Sequence, residues 1–326
     1  METTRFPVRS TDGWMLDLRR HRVPGALDRA RRPLVMVPGY AMNTFILGFH
    51  PQGPSMIEAL AADGVEVWTA DLRGQGGSRR DAWRRGTFGL RQLVLDDLHR
   101  SIQRVRGETE HDTEQVDLVG CSLGGSMVYA WLAHHPADHG VHSVVAIGAP
   151  LRWEATHPAM RLAFTSPRLA GVVPIRGTRA LARAVLPVLT AFPPLLSIYM
   201  NADRIDLSQA DQLVRTVEDP VPFINRQIAR WMKDKDLVVD GVNVSQALPH
   251  AAGVRYLCVL ANADGIVPPE SALALAAVVG RERVDTLSVG DDTHWYAHAD
   301  LFIGESCQAD VFDPMRAWLR GEGLAG

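Results

Sequence analysis

Residues 120–124 read Gly-Cys-Ser-Leu-Gly, a serine between glycines at the spacing G-x-S-x-G. Before it, Gln115-Val116-Asp117-Leu118-Val119 is a short apolar run of strand type, and after it Gly125-Ser126-Met127-Val128-Tyr129-Ala130-Trp131-Leu132 reads as a helix. A serine on a sharp strand-to-helix turn is held in a strained backbone conformation with its hydroxyl exposed above the sheet edge. Glycines flank such a turn because neighbouring elements crowd it and Cβ atoms would clash. The five letters alone also fit a helix-capping serine after a glycine turn. The strand–turn–helix context makes Ser122 a candidate nucleophile.

A serine hydroxyl is a poor nucleophile at neutral pH. It needs a base to take its proton and a carboxylate to orient that base. In a chain of alternating strands and helices, both belong on loops at the carboxyl ends of later strands. Asp264 stands after the strand-like run Arg255 to Leu260, in Ala261-Asn262-Ala263-Asp264-Gly265-Ile266-Val267-Pro268-Pro269. An Asp-Gly turn would use the same residue for its geometry alone, but the order Ser…Asp…His favours the catalytic role. Two histidines, His294 and His298, follow the last strand, and either could reach the serine from that loop.

The elements that would position these groups alternate along the chain. Trp14 to His21 alternates apolar and polar residues like an edge strand. Leu34 to Val37 and Val65 to Ala70 read as strands, and Ser55 to Asp63 has helical spacing. Leu90 to Arg106 is a long amphipathic helix, and Val141 to Ile147 another strand. From Leu151 to His250 the alternation stops and the pattern is helical, punctuated by proline and arginine. It resumes with Arg255 to Leu260, a helix over Pro269 to Val279, the strand Arg283 to Val289 and a helix over Ala309 to Leu319. The pattern predicts an α/β fold with a mostly parallel sheet flanked by helices. One core would comprise residues 1–150 and 251–326, with residues 151–250 a helical cap over the active-site edge.

Composition narrows the function. The net charge is −3 and no large basic block is present, which argues against a nucleic-acid partner. The arginines of 29–32 and 79–85 read as solvated loops. The longest apolar-rich run, Ala180 to Met200, is interrupted by Arg183, Pro187, Pro193 and Pro194, so no transmembrane segment is expected. The first residues lack a basic-then-apolar leader. Cys121, Cys258 and Cys307 are odd in number and far apart, which points to reduced thiols and a cytoplasmic location, with Cys121 packed in the core.

Together these residues resemble the α/β-hydrolase-fold serine hydrolases, and within them the lysosomal-acid-lipase-like and polyhydroxyalkanoate-synthase-like branch. The resemblance rests on Pro38-Gly39-Tyr40, the run Asp71-Leu72-Arg73-Gly74-Gln75-Gly76-Gly77-Ser78, Ser122, Asp264 with Val267-Pro268, and His298-Ala299-Asp300-Leu301. In that branch the catalytic histidine heads a His-x-Asp-apolar run followed by glycine, which His298 matches and His294 does not. The resemblance therefore implies the set Ser122, Asp264, His298. It also implies an oxyanion hole from the backbone N–H groups of Tyr40 and Leu123, although Pro38-Gly39 replaces the usual His-Gly pair. The 71–78 loop would be structural, through Asp71 and Arg73. Serine rather than aspartate at the turn argues against epoxide hydrolysis or dehalogenation, and serine rather than cysteine favours hydrolysis over polymer synthesis.

The expected activity is hydrolysis of a small-molecule carboxylic ester, with no metal or organic cofactor. A thioesterase or an intracellular polyester depolymerase would use the same residues. Alternatives are a lipase working at a membrane surface and a catalytically silent binding protein of the same fold. Trp153, Phe164, Leu169, Val172, Val173, Phe192, Leu195, Leu196, Ile198, Tyr199 and Met200 make the insertion apolar, which favours lipophilic acyl groups. Asn225 to Trp231 resembles the returning cap helix of the acid-lipase-like group.

Overall fold

The computed structural model of the chain describes residues 1–80, 87–164, 166–167, 176–190 and 196–324. Leu169, Val172, Val173, Phe192 and Leu195 of the insertion, and the arginine-rich run beyond Arg80, lie outside the described residues. The strands are β1 (Glu2–Arg5), β2 (Trp14–Arg22), β3 (Leu34–Val37), β4 (Val67–Asp71), β5 (Val116–Cys121), β6 (Val141–Ile147), β7 (Arg255–Ala261) and β8 (Val284–Val289). Their spatial order is β1-β2-β4-β3-β5-β6-β7-β8, with β3 to β8 parallel and β2 antiparallel to both of its neighbours, β1 and β4. β3 has β4 on one side and β5 on the other, so the chain switches direction across the sheet there. Such a switch opens a crevice beyond the carboxyl ends of β3 and β5.

The alternation in Trp14 to His21 suggested an edge, but β1 covers that strand. Asp17 and His21 are buried and partnered: Asp17 accepts from Arg5 and the exposed Arg19, and the His21 ring lies between the hydroxyls of Thr3 and Thr69. The arginines at 31 and 32 are likewise not simply solvated, since they pair with Asp63 and Asp117.

The helices are α1 (Met56–Ala62), α2 (residues 90–108), α3 (Leu123–His134), α4 (Pro158–Ala163), α5 (Thr178–Thr190), α6 (Pro222–Asp234), α7 (Pro269–Val279) and α8 (Asp313–Leu319). Because side chains alternate across a strand, each strand feeds two cores. Val35, Val37, Leu118, Val144 and Ala146 pack with α2, α3 and α7. Leu34, Met36, Val119, Cys121, Val145 and Ile147 pack with α1 and α8. Ser55 and Glu58 close a capping box at the start of α1, a feature worth about 1 kcal/mol. The three cysteines are free and buried. Among the described residues, no helix is long and apolar enough to cross a membrane.

Residues 151–250 carry α4, α5, α6 and several short turns. The chain is back on the core before residue 250: Val239, Val244 and Leu248 are buried in the same cluster as α3, and the His134 ring nitrogen Nε2 lies 3.0 Å from the Val239 carbonyl.

The loop after β4 is anchored by charge. Arg73 is 1% exposed and Asp97 fully buried. The Arg73 guanidinium donates to both oxygens of Asp97, at 2.7 and 2.6 Å, and also to Asp12 and Asp96. Asp96 and Asp97 lie on the π-helical turn Leu93–Leu98 of α2. Burial pushes the Asp97 carboxyl up to about 6, against the pull of Arg73. Arg73→Met would strand that carboxylate in the core and should destabilise the fold by about 3 kcal/mol. The loss should be larger at about pH 8 than at about pH 5, where Asp97 can take a proton. Denaturant midpoints at the two pH values measure it, and an equal loss at both would refute the pairing argument.

Candidate active site

Ser122 follows β5 directly and leads into α3, with φ 53° and ψ −125°. Its N–H donates to the Ile147 carbonyl at 2.8 Å and its own carbonyl accepts from Gly125 at 3.0 Å. The turn fits only because its neighbours lack side chains. A Cβ on Gly120 would stand 2.3 Å from Gly125 Cα, one on Gly124 2.4 Å from the Val37 carbonyl oxygen, and one on Gly125 2.4 Å from the Ala149 Cβ. From the adjacent strand end, a Cβ on Gly39 would come within 2.9 Å of the Ser122 Cβ.

Asp264 lies on the loop between β7 and α7. Its Oδ1 accepts the N–H groups of Ile266 and Val267, each at 2.8 Å, and its Oδ2 receives Nδ1–H of His298 at 2.6 Å. Both residues are buried, at 4% and 2% exposure. With Nδ1 committed to Asp264, Nε2 is the basic atom of the neutral ring. Tyr199 and Phe302 flank the imidazole, with centroids 6.2 and 6.4 Å away. Gly148 makes room for it: at φ 54° a Cβ there would lie 2.9 Å from His298 Cε1. The structure thus brings His298, and not His294, to Asp264. His294 is exposed on the same loop and bonds to Thr293 and Asp291.

Tyr40 and Leu123 stand beside Ser122 on the loop after β3 and at the first position of α3. The first N–H groups of a helix have no partner within it and sit at its positive end. The loop after β3 is held by its neighbours. Gln75 donates to the Gly39 carbonyl at 3.2 Å, and the Glu218 N–H donates to the Ala41 carbonyl at 2.8 Å. Asp71, which burial pushes up to about 6, accepts the Thr44 N–H at 2.8 Å. The 71–78 run therefore braces this loop through Asp71 and Gln75, while Arg73 anchors the run itself to α2.

Ile198 to Asn201, from the insertion, crosses the loops of both Asp264 and His298. Gly265 N–H donates to the Ile198 carbonyl at 3.2 Å, Ala299 N–H to the Tyr199 carbonyl at 2.7 Å, and the Asn201 side chain to the Trp295 carbonyl at 3.1 Å. Asp300, fully buried, accepts Asn201 N–H at 3.0 Å and Ala297 N–H at 2.6 Å. Burial pushes its carboxyl up to about 7, and the nearby Asp264 charge adds to the rise.

Residues 32–194 match the alpha/beta hydrolase fold family. The chain belongs to the α/β-hydrolase-fold family. No curated protein matches the sequence. Among solved structures, this α/β hydrolase is similar to a serine hydrolase from Cycloclasticus zankles, at 14% identity and TM-score 0.66 over 98% of this chain and 99% of that one. It is also similar to an esterase from Rhodococcus sp. ECU1013, at 18% identity and TM-score 0.61 over 98% and 99%. A third is a thermophilic esterase from Thermogutta terrifontis, at 17% identity and TM-score 0.61 over 98% of each chain. At these identities the likeness is one of fold.

Ser122, Leu123, Tyr40 and His298 of this α/β hydrolase line one cavity of about 280 Å³, with Trp153, Phe164, Ile228 and Trp231 among its walls. Its lining is mostly apolar. Among the described residues no cluster of three or more His, Cys, Asp or Glu side chains could hold a metal ion. Sequence reasoning did not single out Gly148, Asn201 or Trp231. Gly148 carried a signal, a glycine closing the strand beside the serine. Asn201 carried none, and Trp231 showed only as the end of the cap-helix resemblance, because their roles exist only once distant segments meet.

A carboxyl with a folded pKa of about 7 and an ordinary value of 3.8 stabilises the fold below the lower value and loses that contribution as pH climbs through the higher. The melting temperature of the wild type relative to Asp300→Asn should therefore fall as pH rises from about 4 to about 8. Calorimetry of both proteins reads the gap, and a constant gap would contradict a buried, charge-averse Asp300.

Proposed function

We propose that the protein is a serine hydrolase that cleaves carboxylic esters through an acyl-enzyme, with the part of residues 151–250 that precedes the return at Leu237 as its cap. The observation that carries this reading is the buried 2.6 Å contact of Asp264 with His298 in the wall of the cavity that also holds Ser122. In this mechanism Ser122 Oγ attacks the carbonyl carbon while His298 Nε2 takes its proton. Asp264 keeps Nδ1 protonated and stabilises the imidazolium. The carbonyl oxygen becomes an oxyanion facing the N–H groups of Leu123 and Tyr40, each donor of this kind being worth about 10²–10³ in rate. Collapse expels the alcohol, which His298 protonates. A water then attacks the acyl-enzyme with His298 again as base, releasing the acid and restoring Ser122. No metal or organic cofactor has a part in these steps.

The cavity favours lipophilic esters, since Trp153, Met160, Phe164, Ile228 and Trp231 would cover an apolar chain, at about 0.8 kcal/mol per methylene. Thioesters and short polyester ends would follow the same steps. Three buried free thiols fit a reducing, cytoplasmic setting.

Ser122→Ala and His298→Ala should each lower kcat on p-nitrophenyl esters by about 10⁴ or more. His294→Ala should stay within about twofold of wild type, as its side chain is solvated and outside the cavity lining. Turnover that survives Ser122→Ala, or a wild type that cleaves no ester, would end the proposal.

A further inference from the structure

α6 presents two stripes to two different spaces. Ile228 and Trp231 face the catalytic cavity. Phe223, Arg226, Gln227, Arg230 and Asp234 line a second pocket of about 470 Å³ that opens to solvent on the outer side, and Asp236, Leu237 and Val238 complete it. Among the described residues, Trp231 is the one side chain common to both linings. It is 2% exposed and packs edge-on against Trp153, with ring centroids 5.5 Å apart at 64°. Neither indole N–H has a hydrogen-bond partner, so Trp231 is held by packing alone and no polar bond fixes the partition.

We propose that Trp231 is the wall that sets the length of the substrate's hydrocarbon arm, closing the catalytic cavity against a larger outer chamber. The inference rests on the ester-hydrolase reading of the same site. The inner cavity accepts a chain until it meets the indole, and further methylenes gain no burial. Removing the indole joins the two spaces, and each added methylene then gains about a factor of four in binding. Phe223, Leu237 and Val238 supply apolar wall for the extension.

The test uses the full chain and two substrate ladders, p-nitrophenyl esters from acetate to palmitate and alkyl acetates from ethyl to hexadecyl. Binding of linear carboxylic acids and alcohols of matching lengths, by calorimetry, reads the cavity without any chemistry. In wild type, kcat/KM and affinity should stop rising at a medium chain. In Trp231→Ala the rise should continue through several more methylenes at about fourfold each in one ladder, and that ladder identifies whether the acyl or the alkoxy arm points at the wall. Trp231→Ala/Val238→Trp, which refills the outer chamber, should shorten the limit again. An unchanged length limit in Trp231→Ala, or a loss that is equal at every length, would overturn the proposal. A wild type that binds chains with a length limit yet cleaves no ester would instead overturn the ester-hydrolase reading and leave the wall standing.

Discussion

Ser122 is held at φ 53° and ψ −125°, a conformation that costs about 1–3 kcal/mol for a residue with a side chain. Everything around it is arranged so that the chain has nowhere else to go. β5 ends in a fully buried run, α3 begins at the next residue, and Gly120, Gly124 and Gly125 let strand, helix and the end of β3 approach to distances that a Cβ would forbid. The cost is met by packing on both sides: α3 is buried along almost its whole length. The reward is position. The serine stands where the connections leaving β3 and β5 part to opposite sides, so the loop after β3 arrives beside it without any special insertion.

The proposed acid and base, Asp264 and His298, are fixed by a different device. Asp264 and His298 are on loops, and loops are mobile unless their backbone groups are occupied. Here the occupants come partly from the insertion. Ile198, Tyr199 and Asn201 bond the backbone of both loops, and Asn262 accepts the Tyr296 N–H at 2.8 Å to tie one loop to the other. The segment that covers the site therefore also sets the geometry of two of its residues.

Much of this could be read from the chain. Ser122 was legible because its motif lay between a strand pattern and a helix pattern. Asp264 was legible because it closes a buried strand. His294 and His298 were not separable by local pattern, since four residues on one loop can both reach a site. The match of His298-Ala299-Asp300-Leu301 to a known family pattern favoured one, and the structure separates the two by burial and by Asp264. The covered position of β2 was hidden because charged residues in alternation look the same whether solvent or an ion pair receives them. The early return of residues 237–250 was hidden because short turns packed on α3 leave no periodicity. The roles of Asn201 and Trp231 depend on contacts across a hundred residues, which no local spacing encodes.

Asp300 shows why a buried carboxylate is used so near the site. Anchoring the His298 loop to Asn201 and Ala297 requires an acceptor with several lone pairs in a space closed to water, which a carboxyl group provides. Its charge is disfavoured there, by burial first and by Asp264 as well, while Arg204 offsets part of the cost. In the proposed mechanism, a second full charge beside Asp264 would compete for the imidazolium of His298. An anchor whose carboxyl burial pushes up to about 7 holds the loop through backbone N–H groups, which bond either form. It leaves Asp264, with its two N–H donors, as the carboxylate that faces the His298 ring.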